Sequence, residues 1–286
     1  FREQIVSGLA GSAKSVMIAV TAEQLERPVL VLTHNMFSAQ KIAEDLNECL
    51  PGSALLYPAH ELTVAEGALA SPDLLARRID ALSRLSLGYR GIVVAPYAGV
   101  RKLVPPPQVF AEARLELAVG KELPMEDVVR RLSEIGYERA DKVERRGEMS
   151  VRGGIVDFFP LNASLPCRVE WFDDEIDSIR TFDPEEQRSI DKISEIKIWP
   201  ARETVADSKR FQNAARHLAD RLEEQLAKMT DRMVRERLRE TIGGDIERLR
   251  EELSFTELYK YTAFLYPERT TLFDYMPKDT LLVIDE

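Results

Sequence analysis

The chain has 286 residues, 44% of them hydrophobic and 31% charged, with a formal net charge of -10. This apolar content is enough for two or three domains with buried cores and argues against intrinsic disorder, and the longest apolar runs, such as Pro28–Leu32, are far short of the ~20 residues of a membrane span. The acidic balance argues against a free-standing duplex-DNA binder, which carries a basic face.

The sequence opens on Phe1 with no charged and apolar leader and closes on Leu-Val-Ile-Asp-Glu. No signal peptide is expected, and both ends read as cut from a longer protein. Cys49 and Cys167 stand far apart, as do His34, His60 and His217. Neither set has disulfide or zinc spacing, so no metal is expected and a reduced, cytoplasmic chain is.

Residues 1–111 alternate short apolar runs with helical periodicity. Val16–Val20, Leu30–Thr33 and Gly91–Ala95 are the apolar runs. Between them, Ile42, Ala43, Leu46 and Leu50 mark one face of a helix over Ser38–Leu50. A second helix is expected over Leu69–Leu87, opened by Ser71 as N-cap and Pro72 at the first helical position. Strands separated by helices predict a parallel sheet. Pro105-Pro106-Pro107 punctuates the chain, and a boundary is expected just after it.

Residues 112–201 change character. A helix over Glu126–Ile135 precedes a strand-rich stretch that begins at Arg146-Gly147, with turns at Gly153-Gly154, Pro160–Pro166 and Asp173-Asp174. That predicts an antiparallel α+β module. Residues 202–286 read as mainly helical. Phe211, Ala215, Leu218, Leu222, Leu226, Met229 and Met233 form one apolar stripe, which Gly243-Gly244 is expected to break before Ile246, Leu249 and Leu253 resume it. Without sustained heptads the stripe is core packing, not a coiled coil. Thr280–Glu286 is an apolar strand ending in two acids.

Gly8-Leu-Ala-Gly11-Ser-Ala13-Lys14-Ser15 lies close to a phosphate-binding loop. Such a loop uses glycines to curl backbone N–H groups around phosphates, Lys for their charge and Ser or Thr for magnesium. Here the glycine expected before the lysine is Ala13, whose Cβ crowds the loop and penalises positive φ. Asp285 and Glu286 occupy the place of the acids that hold magnesium at the end of a buried strand.

These segments occur in a fixed order with Pro28–Asn35, Gly91–Ala95, Tyr137-Glu138-Arg139, Arg152-Gly153, Phe158-Phe159-Pro160, Leu165–Arg180 and Leu281–Glu286. In that order the chain resembles the UvrB-related N-terminal region of the bacterial transcription–repair coupling factors, the Mfd family, over essentially its whole length. The resemblance implies a degenerate P-loop, helicase-like α/β domain, an inserted α+β domain that binds UvrA, and a helical part ending in the Walker-B-like strand. It implies no catalytic residue in this stretch, and a degenerate nucleotide site at Gly8, Gly11, Ala13, Lys14, Ser15, Asp285 and Glu286. ATP, magnesium, DNA and RNA polymerase would then be handled by other domains of a translocase that displaces stalled polymerase. UvrB shares the skeleton, but it keeps a glycine where Ala13 stands and carries a long aromatic-rich hairpin. In the corresponding interval, Tyr57–Arg77, Tyr57 is the only aromatic.

Period-two alternation over Arg168–Phe172 places Val169 and Trp171 on a core face and Arg168, Glu170 and Phe172 on the outer one. An exposed aromatic beside arginine has the composition of an interface hot spot. Arg152, Arg168 and Phe172 match UvrA-contacting positions of the family. Arg168→Ala and Phe172→Ala are expected to weaken docking while sparing stability, and Trp171→Ala to unsettle the core. Whether Arg152 shares the outer face depends on strand pairing. Two other readings remain at this level. One is an active UvrB-like NTPase. The other is a nucleic-acid-binding face begun by Lys142, Arg145, Arg146 and Arg152 but interrupted by Glu144 and Glu148.

Overall fold

The computed structural model describes residues 3–59, 72–251 and 256–285. In chain order its elements are α1 (Ala13–Leu25), β1 (Val29–Thr33), α2 (Met36–Cys49), β2 (Ala54–Leu56), α3 (Pro72–Ser86), β3 (Ile92–Pro96), α4 (Tyr97–Val100), α5 (Pro107–Glu112), β4 (Leu115–Ala118) and α6 (Met125–Glu134). Then follow β5 (Glu138–Arg139), β6 (Glu148–Arg152), β7 (Ile155–Phe158), β8 (Cys167–Phe172), β9 (Glu175–Phe182), β10 (Ser189–Ile193), β11 (Glu195–Ile198), α7 (Ser208–Lys228) and α8 (Arg232–Arg250). A 3-10 helix (Thr256–Tyr261), α9 (Thr262–Leu265), α10 (Leu272–Tyr275) and β12 (Leu281–Asp285) end the described chain. They divide into two units, residues 1–102 with 271–286, and residues 103–270. The segment after 202 is thus shared out: its helices up to Leu265 lie in the second unit, and β12 returns to the first.

The first unit is built on a parallel sheet of order β12-β1-β3-β2. Every residue of β1 and β3 is buried, as continuous Val/Ile/Leu runs in a parallel sheet demand. Ile18 and Ala19 of α1 and Ala39, Ile42, Ala43 and Leu46 of α2 pack on Val29, Val31, Ile92 and Val94. Asn35 caps α2 by accepting from the Ser38 N–H. The Val16–Val20 run is not a strand. It lies within α1, with Ile18 and Ala19 buried and Val16 and Val20 exposed, so one face of a helix accounts for it. The expected helix over Leu69–Leu87 is α3, and its proposed cap Ser71 lies outside the described residues.

The second unit holds a six-stranded sheet, β10-β9-β8-β7-β6-β5, antiparallel except at the β5–β6 pair, and a two-stranded β11-β4 ladder. α6 forms where a helix was expected and buries Val128, Val129 and Leu132. Gly153 turns β6 into β7 at φ +58°, and Asp173 opens the β8–β9 turn at φ +52°, a left-handed conformation that Asp tolerates.

The long stripe is core packing, but it breaks elsewhere than the sequence suggested. α7 ends at Lys228 with Met229 as its C-cap, and Asp231 starts α8 by accepting from the Met233 and Val234 N–H groups. Gly243 and Gly244 lie inside α8. Each costs a helix roughly 1 kcal/mol relative to alanine. Burial of Ile246 and Leu249 against Phe211, Ala215, Leu218 and Leu222 of α7 offsets that. Met233, counted into the stripe, is exposed beyond the break. No described helix is long and apolar enough to cross a membrane.

The two thiols differ sharply. Cys49 is exposed, whereas Cys167 is buried and desolvation pushes its pKa up to about 12. A thiol reagent at pH 8 should therefore titrate one cysteine quickly in the native chain and the second only in denaturant. Two fast thiols would place Cys167 at the surface.

Candidate functional site

The loop before α1 keeps part of a phosphate-binding geometry. Gly8 and Gly11 adopt φ +83° and +55°, values that side chains rarely take, and the helix starts immediately after them. Ala13 carries no such strain, because it is already in the first helical turn and its N–H bonds Ala10 O at 3.2 Å. The positive-φ penalty expected at Ala13 therefore does not arise.

What stands against a nucleotide is different. A P-loop follows a strand directly, yet residues 3–10 are irregular. Lys14 Nζ is held 2.7 Å from Asp285 Oδ1, so the two charges expected to serve phosphate and magnesium neutralise each other. Ser15 is buried, and its hydroxyl donates to Asp45 Oδ2 at 3.1 Å. Glu286 lies outside the described residues. Tyr57 is buried beneath the Arg78 guanidinium, 4.2 Å from its ring centroid, so it offers no face for base stacking. Residues 60–71 of the short interval lie outside the described residues.

In the six-stranded sheet the ladder answers the question the sequence left open. Arg152 pairs with Ile155, Ser150 with Asp157, and Asp157 with Arg168. Direct cross-strand partners share a face. Arg152, two residues on from Ser150, therefore joins Asp157 and Arg168 on one side of the sheet. Phe172, at the end of β8, is 74% exposed.

One residue of this cluster was not anticipated. Asp157, with its side chain only 1% exposed, binds Arg168 bidentately, Nε to Oδ1 at 2.7 Å and Nη2 to Oδ2 at 2.9 Å. Arg152 Nη2 reaches the same Oδ2 at 2.5 Å. These bonds push the Arg168 pKa further above its ordinary value against the opposing effect of burial. The guanidinium also lies over Phe182, 4.8 Å from the ring centroid. Beside it Arg180 and Ser178 both donate to Glu170 Oε2 at 2.9 Å. A carboxylate between Val156 and Phe158 was the available signal, since alternation in a strand turns it away from the core those two occupy.

Two expectations change as a result. Arg168 is an internal ion-pair partner, 16% exposed, and not a side chain free to grip a partner. Trp171 is only partly buried. It stays in the ladder opposite Ile176, next to a register shift in β9, and its Nε1 donates to Leu123 O at 2.9 Å. The basic run nearby is interrupted by acids. Lys142 pairs with Glu144, the Glu148 carboxylate accepts from the Glu144 and Arg145 N–H groups, and Arg146 lies near the Phe159 ring. Among the described residues no group of three or more His, Cys, Asp or Glu is placed to hold a metal ion.

Residues 115–203, which include Arg152, Asp157, Arg168 and Phe172, match the UvrB interaction domain family. Over its full length the chain is 41% identical to a transcription-repair-coupling factor of Bacillus subtilis, and over 99% of its length 34% identical to one from Staphylococcus aureus. It spans about a quarter of each of those relatives, 24% of their length.

Proposed function

We propose that this chain, a stretch of the transcription-repair-coupling factors that carries their UvrB interaction domain, is the part of its parent that recruits UvrA in transcription-coupled repair. The observation that carries this reading is the exposed Phe172 on the matched domain, with the half-exposed Arg152 on the same sheet. An apolar ring to bury and a cation to pair are the components of an interface hot spot. The parent acts in the cytoplasm as an ATP-driven translocase on DNA that displaces stalled RNA polymerase, and its motor, with ATP and magnesium, resides in other domains.

In this reading the first unit is a degenerate P-loop, helicase-like domain that has exchanged its ligand for internal bonds. The Lys14–Asp285 pair and the Ser15–Asp45 hydrogen bond occupy the groups a nucleotide would need. Calorimetric titration of the chain with Mg-ATP should accordingly give no micromolar binding. Micromolar affinity abolished by Lys14→Ala would overturn this and favour an active UvrB-like NTPase.

The docking test is titration with purified UvrA, with duplex DNA as a separate ligand. UvrA should bind, and Arg152→Glu should weaken it at least tenfold. DNA should bind weakly, because the chain carries a net charge of -10 and Tyr57 is buried. A tight, salt-sensitive shift of DNA by the chain alone would instead assign phosphate contacts to this face.

A further inference from the structure

If the docking reading above holds, the way the two arginines are held bears on how the surface binds. Asp157 sits on β7, between the strands that carry Arg152 and Arg168, and both of its oxygens are taken by guanidinium nitrogens. The two arginines are not equivalent. Arg168 spends Nε and Nη2 on Asp157, brings Nη1 within 3.5 Å of Gln187 O, and lays its plane over Phe182. Arg152 gives Asp157 only Nη2, and its side chain is 49% exposed.

We propose that Asp157 is a positioning residue for docking. Arg168 is spent on the same carboxylate, and Asp157 acts by pinning Arg152 through one nitrogen, leaving that arginine's other donors for a carboxylate of UvrA. A free arginine loses rotamer freedom when it is captured, whereas one already held loses less, so the pinned geometry favours the complex. The planar fork makes this possible, since a guanidinium can serve two carboxylates at once and an ammonium has no such geometry.

The test is titration of the chain with purified UvrA at a temperature where circular dichroism shows each variant folded. Asp157→Asn preserves shape and removes the charge, and it should weaken binding about tenfold. Arg152→Ala should do likewise. The double variant should lose little beyond the weaker single one, because both act through the same arginine. Wild-type affinity for Asp157→Asn, or multiplicative losses in the double variant, would overturn the proposal. If Arg152→Ala and Phe172→Ala also bound like wild type, the docking reading itself would fall, whereas losses in those two alone would remove only the role of Asp157. Should Asp157→Asn not fold, nitrogen relaxation at the Arg152 Nε in the wild-type chain decides the matter. An ordered Nε supports the clamp, and motion as free as that of exposed Arg139 refutes it.

Discussion

Replacing Arg168 with alanine is expected to cost about 3 kcal/mol of stability, within the range for breaking a buried ion pair from one side. The reason is Asp157. Its carboxylate is almost wholly enclosed, and Arg168 supplies two of its three charged hydrogen bonds. After the substitution only a half-exposed Arg152 remains to balance it. For a unit the size of residues 103–270 that loss lowers the melting temperature by roughly 6–12 °C. Arg152→Ala leaves the bidentate pair intact and should cost about 1 kcal/mol or less. Replacing Asp157 and Arg168 together with leucine and methionine should recover most of the stability, since it removes the charge along with its partner. A melting temperature for Arg168→Ala within 2 °C of wild type would mean that water reaches Asp157 freely. The same result bears on binding assays: weakened docking by Arg168→Ala reports a disturbed surface as well as any lost contact.

Phe172→Ala should weaken UvrA binding about thirtyfold, the equivalent of about 2 kcal/mol for a hot-spot side chain, and leave the melting temperature unchanged. The ring is 74% exposed and contributes little to the fold, so its apolar area is available to a partner. Trp171→Ala is the contrasting substitution. It removes the hydrogen bond to Leu123 O and a partly buried indole, so stability falls, by less than the 3–5 kcal/mol that loss of a fully buried aromatic costs. Binding calorimetry and thermal unfolding on both variants separate the two effects. Unchanged UvrA affinity for Phe172→Ala would move the docking surface away from the end of β8.

Much of this was readable in the sequence because it is local. Continuous apolar runs marked β1 and β3, an amphipathic period marked α2 and α3, and Gly-Gly and Asp-Asp pairs marked the turns at Gly153 and Asp173. Alternation alone put Phe172 on an outer face, where it lies exposed. The ordered motifs were specific enough to carry the family resemblance.

Tertiary structure decided the rest, wherever a local preference met a stronger non-local one. The α7–α8 break falls at the Asp231 cap and not at two glycines, because the packing around Ile246 and Leu249 outweighs the glycines' helix cost. Trp171 lies in the ladder opposite buried Ile176 but is only partly buried, and how deeply a strand's last residues are covered depends on what packs over the sheet and not on the strand's own pattern. Arg168, read singly as a side chain available to a partner, is taken by Asp157, eleven residues away in sequence and directly opposite in the ladder. Composition fixes which residues prefer a sheet face. Which charge meets which depends on register between strands, and register is set by all the side chains of both strands together.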